Sequence, residues 1–443
     1  MQKKHWLATI RSVLLQNSQP DTANLRASFA RRRRSRNPGS ITPMLLSDAT
    51  AFPVEYLEDR TLLSVTATLN GQQLEITLGA NNDHAFISFN GGLKVGTTAS
   101  GTDVFSGSLA QTISSIAILQ TASTSGQQVT FSGSNPISGS DGTAASGLSS
   151  ISIAAGITTV NLQQVLNASS VAGSATTVNL ASTGRLQTAV HLAASSGATI
   201  AVAAADYTGE GTVAVSSKTI TITGPQASTS PNSTPASWTT NSALARIARF
   251  SVDGTGGLTL NGLRLLGGAG GGDDDSAIIM LGSGGLSVSN CVISVAADSG
   301  KQGTGIDVGY ASGNSAVTVT QCLFSGFTNS LSAPSNNGWG IYLNYDASAN
   351  NRSVSITNNT FDMAGIVNGL DGNVTGNPIG IDGYSSSALN GNLQIQNNQF
   401  RDTAPFYSIM VADFNGIVSA DISLSGVSSN TFTNAAASPG TRD

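Results

Sequence analysis

The sequence predicts an all-β chain, most of it a solenoid of stacked coils, and three observations carry that expectation. Charged residues make up only 10% of 443 and glycine reaches 50, against roughly 25% and 7% in ordinary soluble domains. Apolar residues recur at alternate positions, the period of a strand. One phrase is also written repeatedly: "LSVSNCVIS" (Leu286 to Ser294), "VTVTQCLFS" (Val317 to Ser325), "VSITNNTFD" (Val354 to Asp362) and "LQIQNNQFR" (Leu393 to Arg401), with a worn copy, "VSSNTFT" (Val427 to Thr433).

Residues 1–64 come first. Residues 1–40 hold nine Lys or Arg against one Asp, net +8, while the remainder holds eleven basic and 24 acidic residues, net −13. A basic, disordered arm therefore precedes an acidic body, and that body argues against a nucleic-acid partner. Arg11 interrupts the apolar run of "KKHWLATIRSVLLQ", which makes it a poor secretory core. No run of 18 apolar residues occurs, so no transmembrane helix is expected. After "ARRRRSR" (Ala30 to Arg36) comes "VEYLEDRTLLS", Val54 to Ser64. This segment resembles the LEPR-XLL motif found near the start of large exported or envelope proteins of some bacteria. Leu57, Glu58, Arg60, Leu62 and Leu63 match, and Asp59 stands where the motif has Pro. The resemblance implies a secreted or cell-envelope protein.

Residues 65–150 read as a β-rich spacer or small β domain. Asn70-Gly71 and Asn90-Gly91 signal hairpins between alternating segments. Asn81-Asn82-Asp83 reads as a further hairpin turn, its likeness to calcium-binding glycine/aspartate repeats lacking the glycines. The loop-like Gly133 to Ser150 suggests a boundary. "TTVNL" at Thr158 and again at Thr176 hints at short coils already stacking.

Residues 151–443 carry the repeats. Leu186, Ala189, Val190 and Ala193 fall on one face of a short helix, followed by strands at Thr199 to Val202 and Thr219 to Thr223. This resembles the opening of a pectate-lyase-like right-handed parallel β-helix, whose first coil a small helix caps; Asp206 precedes Tyr207 where that family usually has Gly. A second strand phrase alternates with the first: "AIIML" (Ala277 to Leu281), "GIDVG" (Gly305 to Gly309), "GIYLN" (Gly340 to Asn344), "GIDGY" (Gly380 to Tyr384) and "SIMVA" (Ser408 to Ala412). The core end of the asparagine phrase recurs at Leu265, Ile293, Phe324, Phe361, Phe400 and Phe432, at intervals of 28, 31, 37, 39 and 32. Constant phrases at variable intervals mean coils of fixed core and variable loops. In each phrase the first amide (Asn290, Gln321, Asn358, Asn397) is expected to stack on its copies, and the second position to take the left-handed conformation that Asn tolerates.

Candidate chemistry lies on the outer face of the second strand phrase. Alternation places Asp307, Tyr342 and Asp382 outward at one register on successive coils. Carboxylates two coils apart would lie about 9.6 Å from each other, near the limit for inverting glycosidases, so Asp307 and Asp382 are the candidate catalytic pair. Tyr342, Tyr310 and Tyr384 are candidate sugar-stacking residues. Asp273, Asp274 and Asp275 are candidate Ca²⁺ ligands, against the alternative of a charged flexible loop. The three histidines form no evident set, and Cys291 and Cys322 occupy equivalent places on adjacent coils, as neighbouring thiols or a disulfide. Two functions remain open: a monomeric, non-catalytic surface or matrix protein that binds a polysaccharide or envelope glycan, and a glycan-cleaving hydrolase or lyase.

Overall fold

A computed structural model describes residues 65–90, 92–100, 103–106, 113–121, 124–138, 147–232, 244–268, 276–295, 303–309, 316–327, 338–345, 353–362, 376–383, 393–401, 409–413 and 427–433, with backbone alone at 338, 344–345, 376–377, 382–383, 410–413 and 427. All belong to one compact unit, Thr61–Asp443. The LEPR-XLL-like segment, Asp273 to Asp275, Tyr310 and Tyr384 lie outside the described residues.

The alternating patterns form strands in four sheets of five, fourteen, eight and seven strands. From the middle of the chain onward, it visits the last three in a fixed cycle. Leu258–Asn261 lies in the fourteen-stranded sheet, Arg264–Leu265 in the eight-stranded and Ile278–Met280 in the seven-stranded; Leu286–Ser289, Val292–Ile293 and Thr304–Val308 repeat the cycle one step on. Each strand pairs in parallel with its equivalent one cycle later. The architecture is all-β with long parallel sheets, and this connectivity is compatible with a solenoid, each cycle being one coil.

The repeated core residue is in register throughout: Leu265, Ile293, Phe324, Phe361, Phe400 and Phe432 pair in succession. The phenylalanine rings stack at 4.6, 5.2 and 4.9 Å between centroids. The first three are fully buried, and Phe432 on the last described coil is 59% exposed.

The bend before that residue resolves the asparagine phrase, with the two roles exchanged. The left-handed residue is the first amide: Asn290, Gln321, Asn358 and Asn397 have φ of 49° to 58°. Gln321, Asn358 and Asn397 are exposed; Asn290 is half-buried and keeps the expected role in part, its Nδ2 donating to Ala227 O at 3.0 Å and to Asn261 Oδ1 at 3.1 Å. The next side chain turns inward and makes the ladder. Asn359 and Asn398 are buried. Asn398 Oδ1 accepts from the Asn359 backbone N–H and from its Nδ2, both at 3.0 Å, and Asn398 Nδ2 donates to Ile356 O at 2.9 Å and to Asn430 Oδ1 at 3.1 Å. All four hydrogen-bonding positions of the buried amide are satisfied.

Two further expectations change at the N-terminal side. The turn at Asn81 to Asp83 is a corner and not a hairpin. Gln73–Leu78 leaves it to pair in parallel with Ser115–Gln120, and His84–Phe89 pairs in parallel with Gln127–Ser132. The antiparallel pairs are Val65–Asn70 with Gln73–Leu78, turning at Gly71 (φ 63°), His84–Phe89 with Leu93–Gly96, and Leu93–Gly96 with Asp103–Ser106. The fourteen-stranded sheet runs unbroken from Val427–Ser428 back through Ile157–Leu162 and Gln127–Ser132 to His84–Phe89. One core cluster joins Val65 to Phe400. Stacking therefore begins well before residue 151, and the "TTVNL" copies pair in register, Thr177 on Thr159 and Leu180 on Leu162.

The helix Leu186–Leu192 does not close the stack; coils lie on both sides of it. It contacts Ala168–Ala172, last strand of the five-stranded sheet, and Thr212–Ser216, first of the seven-stranded sheet. It thus occupies the seam where one sheet stops and another starts. Its apolar face (Leu186, Ala189, Val190, Leu192) is buried. Its polar face completes the sheet edge: Gln187 Oε1 accepts from Ala214 N at 2.7 Å and Gln187 Nε2 donates to Ala214 O at 3.1 Å. A side-chain amide here substitutes for a neighbouring strand.

The fourteen-stranded sheet turns its outer face to solvent with two polar columns. One begins Thr159, Thr177, Thr199, Thr221, Thr259 and continues Ser287, Thr318, Ser355, Gln394. The second, two residues along each strand, runs Asn161, Asn179, Ala201, Thr223, Asn261, Ser289, Thr320, Thr357 and Gln396, polar except at Ala201.

Candidate functional site

The strand Gly338–Tyr345, "GWGIYLNY", lies in the seven-stranded sheet and carries three aromatic residues among two glycines. Ile341 and Leu343 are fully buried, which leaves Tyr342 between them on the outside, half-buried. Trp339 sits beside Tyr342, ring centroids 5.4 Å apart and tilted by 39°, with 8% of its surface exposed, so it supports the tyrosine ring from beneath. Gly380 pairs with Tyr342 on the next coil. A Cβ at Gly380 would lie 2.5 Å from the Trp339 ring and 2.9 Å from the Tyr342 ring. The missing side chain is what lets both rings lie down on the neighbouring strand. Asp307 pairs with Tyr342 from the preceding coil, so a carboxylate, a phenol and an indole meet on one patch.

Asp382 does not join them at the expected register. The phrases "GIYLN" and "GIDGY" align in sequence, yet the strands pair two residues out of that alignment: Ile379 sits on Ile341, Gly380 on Tyr342 and Asp382 on Asn344. The backbone position of Asp382 is therefore two coils and two residues from Asp307, about 12 Å by strand geometry. The sequence left the register ambiguous: "NPIGIDG" offers two isoleucines at alternate positions, and either can fill the core slot.

Sequence reasoning passed over Trp339. Its signal was a tryptophan three residues before the tyrosine and flanked by glycines, in a chain with three tryptophans. Calcium ligation by Asp273 to Asp275 falls outside the described residues. Among those described, no cluster of three or more His, Cys, Asp or Glu is placed to hold a metal.

A second concavity, an open cleft of about 740 Å³, borders the helix and includes Arg185, His191, Asp206, Tyr207 and Glu210 in its lining. Apart from the exposed Arg185, the titratable groups just named are engaged in structure. Glu210 accepts from the Leu186 and Gln187 backbone N–H groups at 2.6 and 3.0 Å, closing the helix start. Asp206 accepts from the Thr208 hydroxyl at 2.6 Å and pairs with Arg246 at 2.8 Å; the Thr208 bond is the chief reason its carboxyl lies below the usual range. Tyr207 donates toward Ala203 O at 3.2 Å and Ala181 O at 3.3 Å, and burial with the Glu210 charge pushes its phenol up to about 12. Burial, then the Lys218 charge, holds His191 below the ordinary imidazole value. These are the bonds of a helix seam, not a nucleophile with its base.

Cys291 and Cys322 are buried and unbridged. They continue the asparagine ladder as thiols. Cys322 N donates to Asn359 Oδ1 at 2.9 Å, while the thiols of Cys322 and Cys291 donate to Thr320 O at 3.3 Å and Ser289 O at 3.1 Å. Burial first, and the neighbouring Cys291 second, raise the Cys322 thiol well above its usual range.

No family model, curated protein or solved structure matches the chain.

Proposed function

We propose that the chain is an exported or cell-envelope protein, a right-handed parallel β-helix of pectate-lyase-like form, that binds glycan on the outer face of its seven-stranded sheet without cleaving it. The observation that carries this reading is the half-buried Tyr342 ring, backed by the buried Trp339 on Gly380, with Asp307 at the paired position of the preceding coil. Aromatic rings give a sugar ring an apolar platform, and a carboxylate accepts its hydroxyls. The slipped register of Asp382 favours binding over hydrolysis, since its backbone does not share the register of Asp307 and Tyr342 on which the paired-acid reading rests. The resemblance of Val54 to Ser64 to LEPR-XLL supports export, and the three-sheet cycle supports the β-helix.

The test is a panel of neutral and acidic polysaccharides assayed with the full chain for both retention and release of reducing ends. Retention of at least one polysaccharide, weakened about tenfold or more by Tyr342→Ala, with no release, is the expected result. Release that disappears in Asp307→Asn would support the glycan-cleaving alternative.

A further inference from the structure

We propose that the two-column outer face of the fourteen-stranded sheet is an ice-binding surface. Register is held from Ile157–Leu162 through nine strands to Leu393–Gln396, with one irregularity, at Ser196/Ala198. Coils repeat at about 4.8 Å and the columns stand about 6.7 Å apart, which makes a rectangular array about 38 Å long. Four rows, Thr221/Thr223, Ser287/Ser289, Thr318/Thr320 and Ser355/Thr357, place a hydroxyl at both outward positions with an apolar residue inward between them; three others pair Thr with Asn, and the remaining two are Thr199/Ala201 and Gln394/Gln396.

The chemistry narrows the partner. No charged or aromatic residue occurs in any of the nine strands. A polyanion or polycation would find no counter-charge, and a sugar chain would find none of the ring platforms that the Tyr342 face supplies. What remains is a hydrogen-bonding solid with its own lattice. A soluble partner makes contacts of varied shape, whereas only a crystal can meet the same two-dimensional repeat over nine coils. The array's two spacings are close to repeats of the oxygen lattice of ice, and threonine offers a hydroxyl to bond water and a methyl to order it.

The side chains are also held ready. Threonine is stiff at χ1. Thr357 Oγ1 donates to Thr320 Oγ1 at 3.2 Å, and Asn179 Nδ2 donates to Asn161 Oδ1 at 2.7 Å. Little side-chain freedom is left to lose on adsorption.

The experiment slowly freezes a solution of the full chain beside an inert control protein, measures the fraction taken into the ice, and records crystal growth below the melting point. The wild type should enter the ice and shape the crystals. Thr259→Lys, at the centre of the array, should reduce uptake about tenfold or more, Thr259→Ser should retain it, and thermal melts should show both variants folded. Tyr342→Ala should leave uptake unchanged, so failure here is distinguishable from failure of the glycan reading. Exclusion of the wild type from ice, or full uptake of folded Thr259→Lys, would overturn the proposal. So would retention on crystalline cellulose or chitin in place of ice, assigning the array to a carbohydrate solid.

Discussion

The two asparagines of each bend differ by one position in the chain and by everything in their surroundings. Asn398 gives both Nδ2 hydrogens and both Oδ1 lone pairs to partners inside the stack, while Asn358 is exposed at φ 58°. Asn398→Ala strands the buried Ile356 carbonyl and the Asn359 N–H, and each orphan costs about 1–3 kcal/mol. A loss of about 3 kcal/mol in denaturant melts is therefore expected. Asn358→Gly should change stability by less than about 1 kcal/mol, because glycine takes the left-handed conformation freely. If the two substitutions cost the same, the assignment of ladder and bend is wrong. Phe361 lies between Phe324 and Phe400 with no exposure; Phe361→Ala should cost about 3–5 kcal/mol by the same melts. The recurrence of Asn-Asn-x-Phe made this bend legible in the sequence. Which asparagine turned inward was not, since either amide can bond a ladder or adopt αL, and only the direction of the bend decides.

Elements show where local pattern meets its limit. The amphipathic stretch from Leu186 predicted a helix, and the helix is there. Its place in a seam depends on Glu210, which closes its start, and on Lys218, whose Nζ donates to Val190 O, His191 O and Ala193 O at 2.8, 3.1 and 2.5 Å. Both come from later in the chain, and no local pattern announces them. Lys218→Met should cost about 1–3 kcal/mol by leaving carbonyls unpaired, and circular dichroism should show the helix fraying. The register of "NPIGIDG" was likewise illegible, because two equally spaced isoleucines satisfy the same alternation. The core column from Leu265 to Phe432 was legible because an aromatic or aliphatic residue closes every phrase at the same position.

At the scale of the whole molecule, charge gives the broadest prediction. Burial holds His84 and His191 below the ordinary imidazole value of 6.5, and for His191 the Lys218 charge adds to it. As pH falls through that value the unfolded chain takes up protons that the folded chain resists, so the unfolded state binds more and stability falls with falling pH. Melting temperature should drop as pH is lowered from about 7 toward 5. Replacing both residues by Gln should flatten that part of the profile relative to the wild type; an unchanged slope would exclude the histidines as its source.

The seam helix also carries a consequence for synthesis. Chains emerge from the ribosome at about 5–20 residues per second. The groups that close the helix ends, Glu210 and Lys218, follow it in the chain, and so does the strand edge that Gln187 bridges. For on the order of a few seconds the helix exists without its partners, at a length too short to persist by itself. The earlier coils can assemble during that interval, but the seam can close only once the next coil has been made. Translation thus divides the growth of the stack into two stages, and a ribosome stalled just after Leu192 would hold the chain at the division.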